Sequence, residues 1–399
     1  FETHPGGIKA QGDYFMTLGV NRFSFHTWAH DPYNVQPGLG LGTYGSRFDN
    51  RNTWWPYAKP WHEYLSRCFY LLRQGETVSD VLYYAGDEAP LRSKNLLRQG
   101  ILRDLPKGID YTIANPEIFR SLRSENGRLH TAKGAGFRML VLPDVPWMSL
   151  GDLTTIERIL ADGAVISGKR PQTPPGKLNP GDMEKFNALV ERIWSDCDGK
   201  NVTSNKCGKG VIYSGMTLGE VVKQHGIGKD FSFVRTVGGK PGPTLYPNTD
   251  IEFIHRRAGS DEIYFLSNQN ETETTITAKF RVTGKTPELW LPDRGIRHRL
   301  ADVRTSGDHT EVPLRFGDPR EASARDAAPW VNPSKLTADL SKDWQAEFPG
   351  DKTISMPDLV SWTTLEDDLM KHHSGTVVYR RSLTIENVSG SSRYHLDLG

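Results

Sequence analysis

Near the start of the chain, apolar positions recur at helical spacing twice, and a different pattern separates the two runs. Residues 8–18 (IKAQGDYFMTL) and 60–74 (PWHEYLSRCFYLLRQ) place large side chains three and four positions apart, which predicts two helices. Pro60 opens the second run and Gly75 follows it, as expected of a helix start and stop. Between them, residues 21–26 (NRFSFH) alternate as a strand does, and residues 27–59 form a long stretch rich in Gly, Pro, Asn and aromatics. Helix, strand, long loop and helix is the closing unit of a (β/α)8 barrel, so residues 1–78 are expected to be that unit. A loop of that length inside a compact domain is usually functional or disordered; the Trp, Tyr and His content of this one points to function.

The pattern changes three more times. Across residues 79–235, short apolar runs (80–84, 138–142, 164–167) alternate with helical ones (150–160, 183–194), and Asn115-Pro116 marks a strand-to-helix turn. Alternation with short connections predicts a flavodoxin-like, doubly wound α/β domain. Across residues 236–317, five short strands (251–256, 262–267, 274–283, 287–291, 296–303) separated by turns predict an antiparallel β-sandwich. Residues 318–334 read as a polar linker. Residues 335–399 carry strands at 343–348 and 376–385 and read as the truncated start of a further β domain. The fold class expected is therefore multidomain, α/β plus all-β.

Composition narrows the partners. A formal net charge of +1 on 399 residues, without a basic stripe, argues against nucleic acid. No apolar run is long enough to span a membrane. Ten tryptophans on a near-neutral chain suit carbohydrate binding, where aromatic faces stack on sugar C–H faces, although Trp also fills cores. Three cysteines make no disulfide scaffold; Cys68 falls in the second helix, and Cys197 and Cys207 flank a polar loop and could pair in an oxidising compartment. No Cys/His spacing suggests zinc. The chain begins at Phe1 and ends within an apparent strand, so we expect a piece of a larger secreted protein, periplasmic or extracellular.

The candidate chemistry concentrates between Gly19 and Trp55. If residues 21–26 are a barrel strand, His26 lies at the rim of the active site, and Trp28 and His30 begin the loop above it. Such a His can hydrogen-bond a sugar hydroxyl or steer a carboxylate, or it can simply cap the strand end. Trp54 and Trp55 could wall a sugar site; on extended backbone only one of the pair can face it. Carboxylates are few. Asp13 sits mid-helix and is expected to be solvated, Asp31 can orient His30 or open the Asp31-Pro32 turn, and Glu2, before the first helix, is the best catalytic candidate. Gly134-Ala135-Gly136 precedes a strand, whereas a dinucleotide fingerprint follows one, so no Rossmann cofactor site is expected.

These residues carry a resemblance. Lys9, Gly12-Asp13, Gly19-Val20-Asn21-Arg22-Phe23, His26, His30, Pro32, Pro37-Gly38, Arg51 and Thr53-Trp54-Trp55 resemble glycoside hydrolase family 106, the α-L-rhamnosidases. Asp80-Val81-Leu82-Tyr83-Tyr84, Tyr264-Phe265 and Glu288-Leu289-Trp290 continue the likeness more loosely, as does a terminal galactose-binding-like β domain. The resemblance implies a catalytic barrel followed by β-rich accessory domains. It implies inverting hydrolysis of terminal α-L-rhamnose from plant polysaccharides or glycosides, by two glutamates ~6.5–9.5 Å apart. It also implies calcium near the substrate hydroxyls, with ligands unassigned. The family's glutamates are expected upstream of Phe1. His26, His30 and Trp54-Trp55 carry over as sugar-lining residues, while Asp31 departs from the amide expected before the proline. The alternatives are a β-galactosidase- or β-glucuronidase-like glycosidase, or a carbohydrate-binding protein without hydrolysis. A lone barrel strand cannot close a barrel, so the isolated chain is expected to be inactive and aggregation-prone. The oligomeric state is left open.

Overall fold

The structure, a computed structural model, describes residues 4–26, 28–33, 47–87, 104–237, 249–270, 272–300, 302–317, 340–350, 352–361, 364–372 and 376–384. The chain forms two compact units, Phe1–Pro329 and Trp330–Gly399. Among the described residues, no helix is long and apolar enough to cross a membrane.

Two helices open the first unit. Helix α1, Pro5–Thr17, starts at a proline with the His4 side chain accepting from the Gly7 N–H. Helix α2, Ala58–Leu72, presents Trp61, Tyr64, Leu65, Cys68 and Leu72 on one face. With Met16 these side chains bury against Ile254 and Phe265, which point outward from a three-stranded sheet. Asp13, expected to be solvated, is instead buried in this seam, where it accepts from the Tyr64 hydroxyl and pairs with Lys9 at 2.7 Å. The Gly12 position allows this close packing, since an added Cβ would lie 3.1 Å from the Phe23 ring. Cys68 lies in the same seam, and burial pushes its thiol up to about 12.

Residues 21–26 do not form the expected strand. The segment has no strand partner among the described residues, and without a neighbouring ladder its backbone is not held as sheet. Its side chains fix it instead: Phe23 packs edge-on to Phe69 of α2 at 5.1 Å.

The next layer is a six-stranded sheet. Its five parallel strands, in spatial order Tyr111–Ala114, Val81–Tyr84, Met139–Val141, Val165–Ser167 and Gly210–Tyr213, follow the doubly wound order 2-1-3-4-5. Ser204–Cys207 adds an antiparallel edge. Both faces are covered, which is why the central strands are wholly apolar. Cys197 and Cys207, placed in sequence as a possible pair, are free thiols here.

Besides a hairpin of Glu288–Leu291 with Ile296–Arg299 and a small sheet of Arg123–Glu125, Arg128–His130 and Gly136–Phe137, two antiparallel sheets share one core of Phe231, Phe253, Ile276, Val312 and Leu314. One holds Glu76–Thr77, Ile251–Ala258 and Asp261–Asn268; the other holds Phe231–Val237, Thr274–Phe280, Arg304–Ser306 and His309–Phe316. The layer therefore begins at Phe231, ahead of the expected boundary at 236. It also captures Glu76–Thr77 as an edge strand beside Arg256 and Arg257. Gly75 makes that junction possible: its φ is +55°, and a Cβ would fall 1.8 Å from the Arg257 carbonyl oxygen.

A buried charge network joins the two layers. Arg281 donates to Asp80, at the base of the Val81 strand, at 2.7 Å and lies 3.5 Å from Asp230. Burial disfavours the Arg281 charge, yet Asp80 and Asp230 outweigh it and hold the guanidinium above its ordinary range. Asp230 also accepts from Tyr264 at 2.9 Å and faces His255 Nδ1 at 2.8 Å. His255 Nε2 lies 2.8 Å from Glu262, so the ring stands between two carboxylates, one at each nitrogen.

In the second unit, Lys342–Phe348 pairs antiparallel with Lys352–Asp358 and Val378–Arg380, around a core of Ala346, Phe348, Met356 and Met370.

Arg281→Met leaves two almost fully buried carboxylates without their cation and is expected to destabilise the first unit by about 3–5 kcal/mol. The denaturation midpoint checks this. Adding Asp230→Asn should recover part of the loss, and a midpoint unchanged in Arg281→Met would sink the argument.

Candidate functional site

The segments on either side of residues 34–46 are tied together by aromatic rings. Phe25 lies 4.4 Å from Phe48, Phe48 is edge-on to Trp54 at 5.5 Å, and Trp54 lies 6.1 Å from Trp55. Trp55 then meets His62 of α2 at 5.9 Å. With Phe23 and Phe69, the run is continuous along one side of α2, where His62 and Phe69 stand two turns apart. Each such pair contributes ~0.5–1.5 kcal/mol beyond its buried area, enough to hold irregular backbone in place.

Trp54 and Trp55 do not lie on extended backbone, as was expected. Trp54 is helical (φ −86°, ψ −8°) and caps a single 3-10 turn, Trp55–Tyr57, that leads directly into α2. The helical turn keeps both rings on neighbouring sides, tilted by 52°, where an extended chain would splay them.

Polar contacts complete the clamp. Arg51 Nε donates to Asp31 at 3.1 Å and Arg51 Nη2 to the Tyr33 carbonyl at 2.7 Å. Asp49 is buried, accepts from the Arg51 N–H at 2.9 Å and faces Arg47 at 3.6 Å. Asp31, the departure from the expected amide, is thus explained by Arg51: an acid makes the stronger, charge-assisted bond. It does not orient His30 in any contact seen here.

Above this frame, His26, Trp28 and His30 are exposed, Trp28 by 65%. Free indole and imidazole on a rigid support suit a sugar, which offers C–H faces to stack and hydroxyls to bond. Along the first turns of α2, an open groove of about 550 Å3 is lined by Trp55, Lys59, His62, Glu63, Ser66 and Arg67. Sequence reasoning missed His62 and Glu63. Their signal was the i, i+4 spacing Lys59-Glu63-Arg67, which forms a charged ladder with contacts of 3.8 and 3.1 Å.

The catalytic candidate Glu2 lies outside the described residues. Asp13, Asp31 and Asp49 are each engaged by a cation or a donor. Calcium needs several oxygen ligands, carboxylates among them, converging on one point. Among the described residues no three His, Cys, Asp or Glu stand together as a metal site, and the nearest carboxylates are held by arginines, so this set does not fit the ion.

A family model described as alpha-L-rhamnosidase matches residues 1–302. The chain belongs to glycoside hydrolase family 106. A solved rhamnosidase from Novosphingobium sp. PP1Y is 30% identical, superposes with a TM-score of 0.79, and is matched over 96% of this chain and 36% of its own. A protein of Formosa agariphila named "Putative beta-glucuronidase" is 30% identical over 318 residues, 79% of this chain and 25% of that one. The chain thus spans between a quarter and about a third of the relatives it matches.

Asp31→Ala strands the Arg51 guanidinium in a half-buried position and is expected to lower stability by about 1–3 kcal/mol. Asp31→Asn keeps an oxygen acceptor and should restore part of it. Thermal unfolding of the three proteins decides; equal midpoints would contradict the clamp.

Proposed function

We propose that the chain is part of an inverting α-L-rhamnosidase and supplies one wall of its sugar site together with accessory layers. The observation that carries the reading is the family match across residues 1–302, joined to 30% identity with a solved rhamnosidase. On this reading residues 1–78 close a catalytic barrel, the doubly wound and two-sheet layers are accessory domains, and residues 335–399 begin a galactose-binding-like domain. The geometry supports a lining role: His26 and His30 donate to ring hydroxyls, and Trp28, Trp54 and Trp55 shield the C–H face.

Inversion requires an acid and a base about 6.5–9.5 Å apart, with water admitted between them. Glu2 is our candidate for one of the pair. A substrate that is a plant polysaccharide is too large to cross a membrane, which favours a periplasmic or extracellular site of action.

A second reading, a glucuronidase-like hydrolase, is favoured by the name of the Formosa agariphila relative. A carboxylated sugar needs a cation, and Lys59 and Arg67 line the groove beside Trp55. Aryl α-L-rhamnoside and aryl β-D-glucuronide offered to the full-length gene product separate the two. Release of rhamnose with inverted configuration is expected; release from the glucuronide alone would overturn the reading.

A further inference from the structure

The doubly wound sheet has a switch point that the function above does not use. Strand order reverses between Val81–Tyr84 and Met139–Val141, the two strands whose following connections leave in opposite directions. In open parallel sheets the crevice outside the carboxyl ends of those two strands is where ligands bind. Here that crevice is a cavity of about 270 Å3. Its walls come from the residues just past each strand, Gly86 and Asp87 on one side and Pro143, Trp147 and Met148 on the other, closed by Pro174.

The chemistry of the lining is two-faced. Pro143, Met148 and Pro174 are buried apolar groups, and Trp147 is half-buried with no hydrogen bond from its indole to any described residue. Opposite lie Asp87 and Asp152, the latter only 2% exposed at the first turn of helix Leu150–Ala161. Arg120 bridges them, donating to Asp152 at 2.9 Å and to Asp87 at 2.8 Å. The Tyr84 hydroxyl touches both remaining oxygens, with Asp152 at 2.7 Å. A phenol has one hydrogen, so it cannot donate fully to two carboxylates at once. Two carboxylates and one guanidinium also leave the cluster one negative charge in excess. Burial pushes the Asp152 carboxyl above its usual range, although Tyr84 and Arg120 pull the other way.

Among the described residues, the Asp87–Asp152 side of the crevice therefore offers more acceptors than donors. A phosphate or carboxylate ligand would add negative charge and further acceptors, which excludes the nucleotides that sheets of this order often hold. A ligand with hydroxyl donors on one side and an apolar face on the other satisfies both walls. The volume lies below the ~300–1,000 Å3 of sites for drug-sized ligands, so it admits one ring and no chain.

We infer that the crevice at the carboxyl ends of Val81–Tyr84 and Met139–Val141 binds a single neutral sugar ring, stacked on Trp147 with its hydroxyls donating to Asp87 and Asp152. The site is separate from the wall at residues 23–62, and its occupancy does not depend on whether the protein hydrolyses rhamnosides.

Hydrogen-exchange mass spectrometry on the full-length gene product tests this, with L-rhamnose, D-galactose and choline chloride as probes at up to tens of millimolar. A neutral sugar is expected to protect peptides covering residues 84–87 and 143–152, independently of any protection at residues 26–30 and 54–62. Trp147→Ala should weaken that protection about tenfold, and Trp147→Phe, which keeps a stacking face, should retain most of it. Hydrolysis of the protein's own glycoside, unchanged in both variants, shows that the fold survives. No protection of these peptides by either sugar, protection by choline alone, or equal protection in Trp147→Ala would each overturn the inference.

Discussion

Arg281 is the point on which the first unit turns. Its guanidinium sits between Asp80, which precedes the first strand of the doubly wound sheet, and Asp230, which opens the two-sheet layer. Arg281 is the cation both carboxylates share: removing it leaves Asp80 without its ion pair and Asp230 with Tyr264 and His255 alone. The same Asp230 anchors Tyr264 and His255, and His255 reaches Glu262. The orientation of one layer on the other is thus set by directional bonds, where apolar contact alone would permit sliding. Glu262 is held below its usual range by Arg257, His255 and Lys285 despite its burial, so the chain of charges ends at the surface with a stable carboxylate.

From that joint the candidate site follows by packing. The outer face of the Ile251–Ala258 sheet offers Ile254, and its neighbour strand offers Phe265; α1 and α2 cover them. Helix α2 then presents Phe69 and His62, and the aromatic run from Phe23 to Trp55 is built on those two rings. His26, Trp28 and His30 stand exposed because everything beneath them is already in contact. The wall is held by ring contacts although its backbone is irregular.

Helices α1, α2, Leu150–Ala161 and Asp182–Trp194 and the strands Val81–Tyr84, Met139–Val141 and Val165–Ser167 were legible in the sequence because each carries a strong period and its own punctuation, whereas the short strand Gly210–Tyr213 and the helix Leu218–Gln224 were not read. Asn115-Pro116 marked a turn, and in the structure Asn115 caps the helix Pro116–Arg120. The strand expected at residues 21–26 was misread because alternation reports which side chains face inward, not whether a hydrogen-bonding neighbour exists. Asp13 was misread for a similar reason: helical position says nothing of a partner such as Tyr64 on another helix. The histidines and tryptophans of the site were visible as a dense cluster, but their arrangement depended on the 3-10 turn at Trp55–Tyr57, which composition does not announce. The network around Arg281 joins residues 201 positions apart and left no local trace.

The central claim is that the exposed rings carried by this frame face substrate. Steady-state kinetics of His30→Ala and Trp55→Ala in the full-length gene product, on the glycoside it hydrolyses, tests it most directly. A lining role predicts KM raised about tenfold with kcat within about twofold, the signature of lost binding shared by ground and transition states. An unchanged KM in both variants would contradict the account.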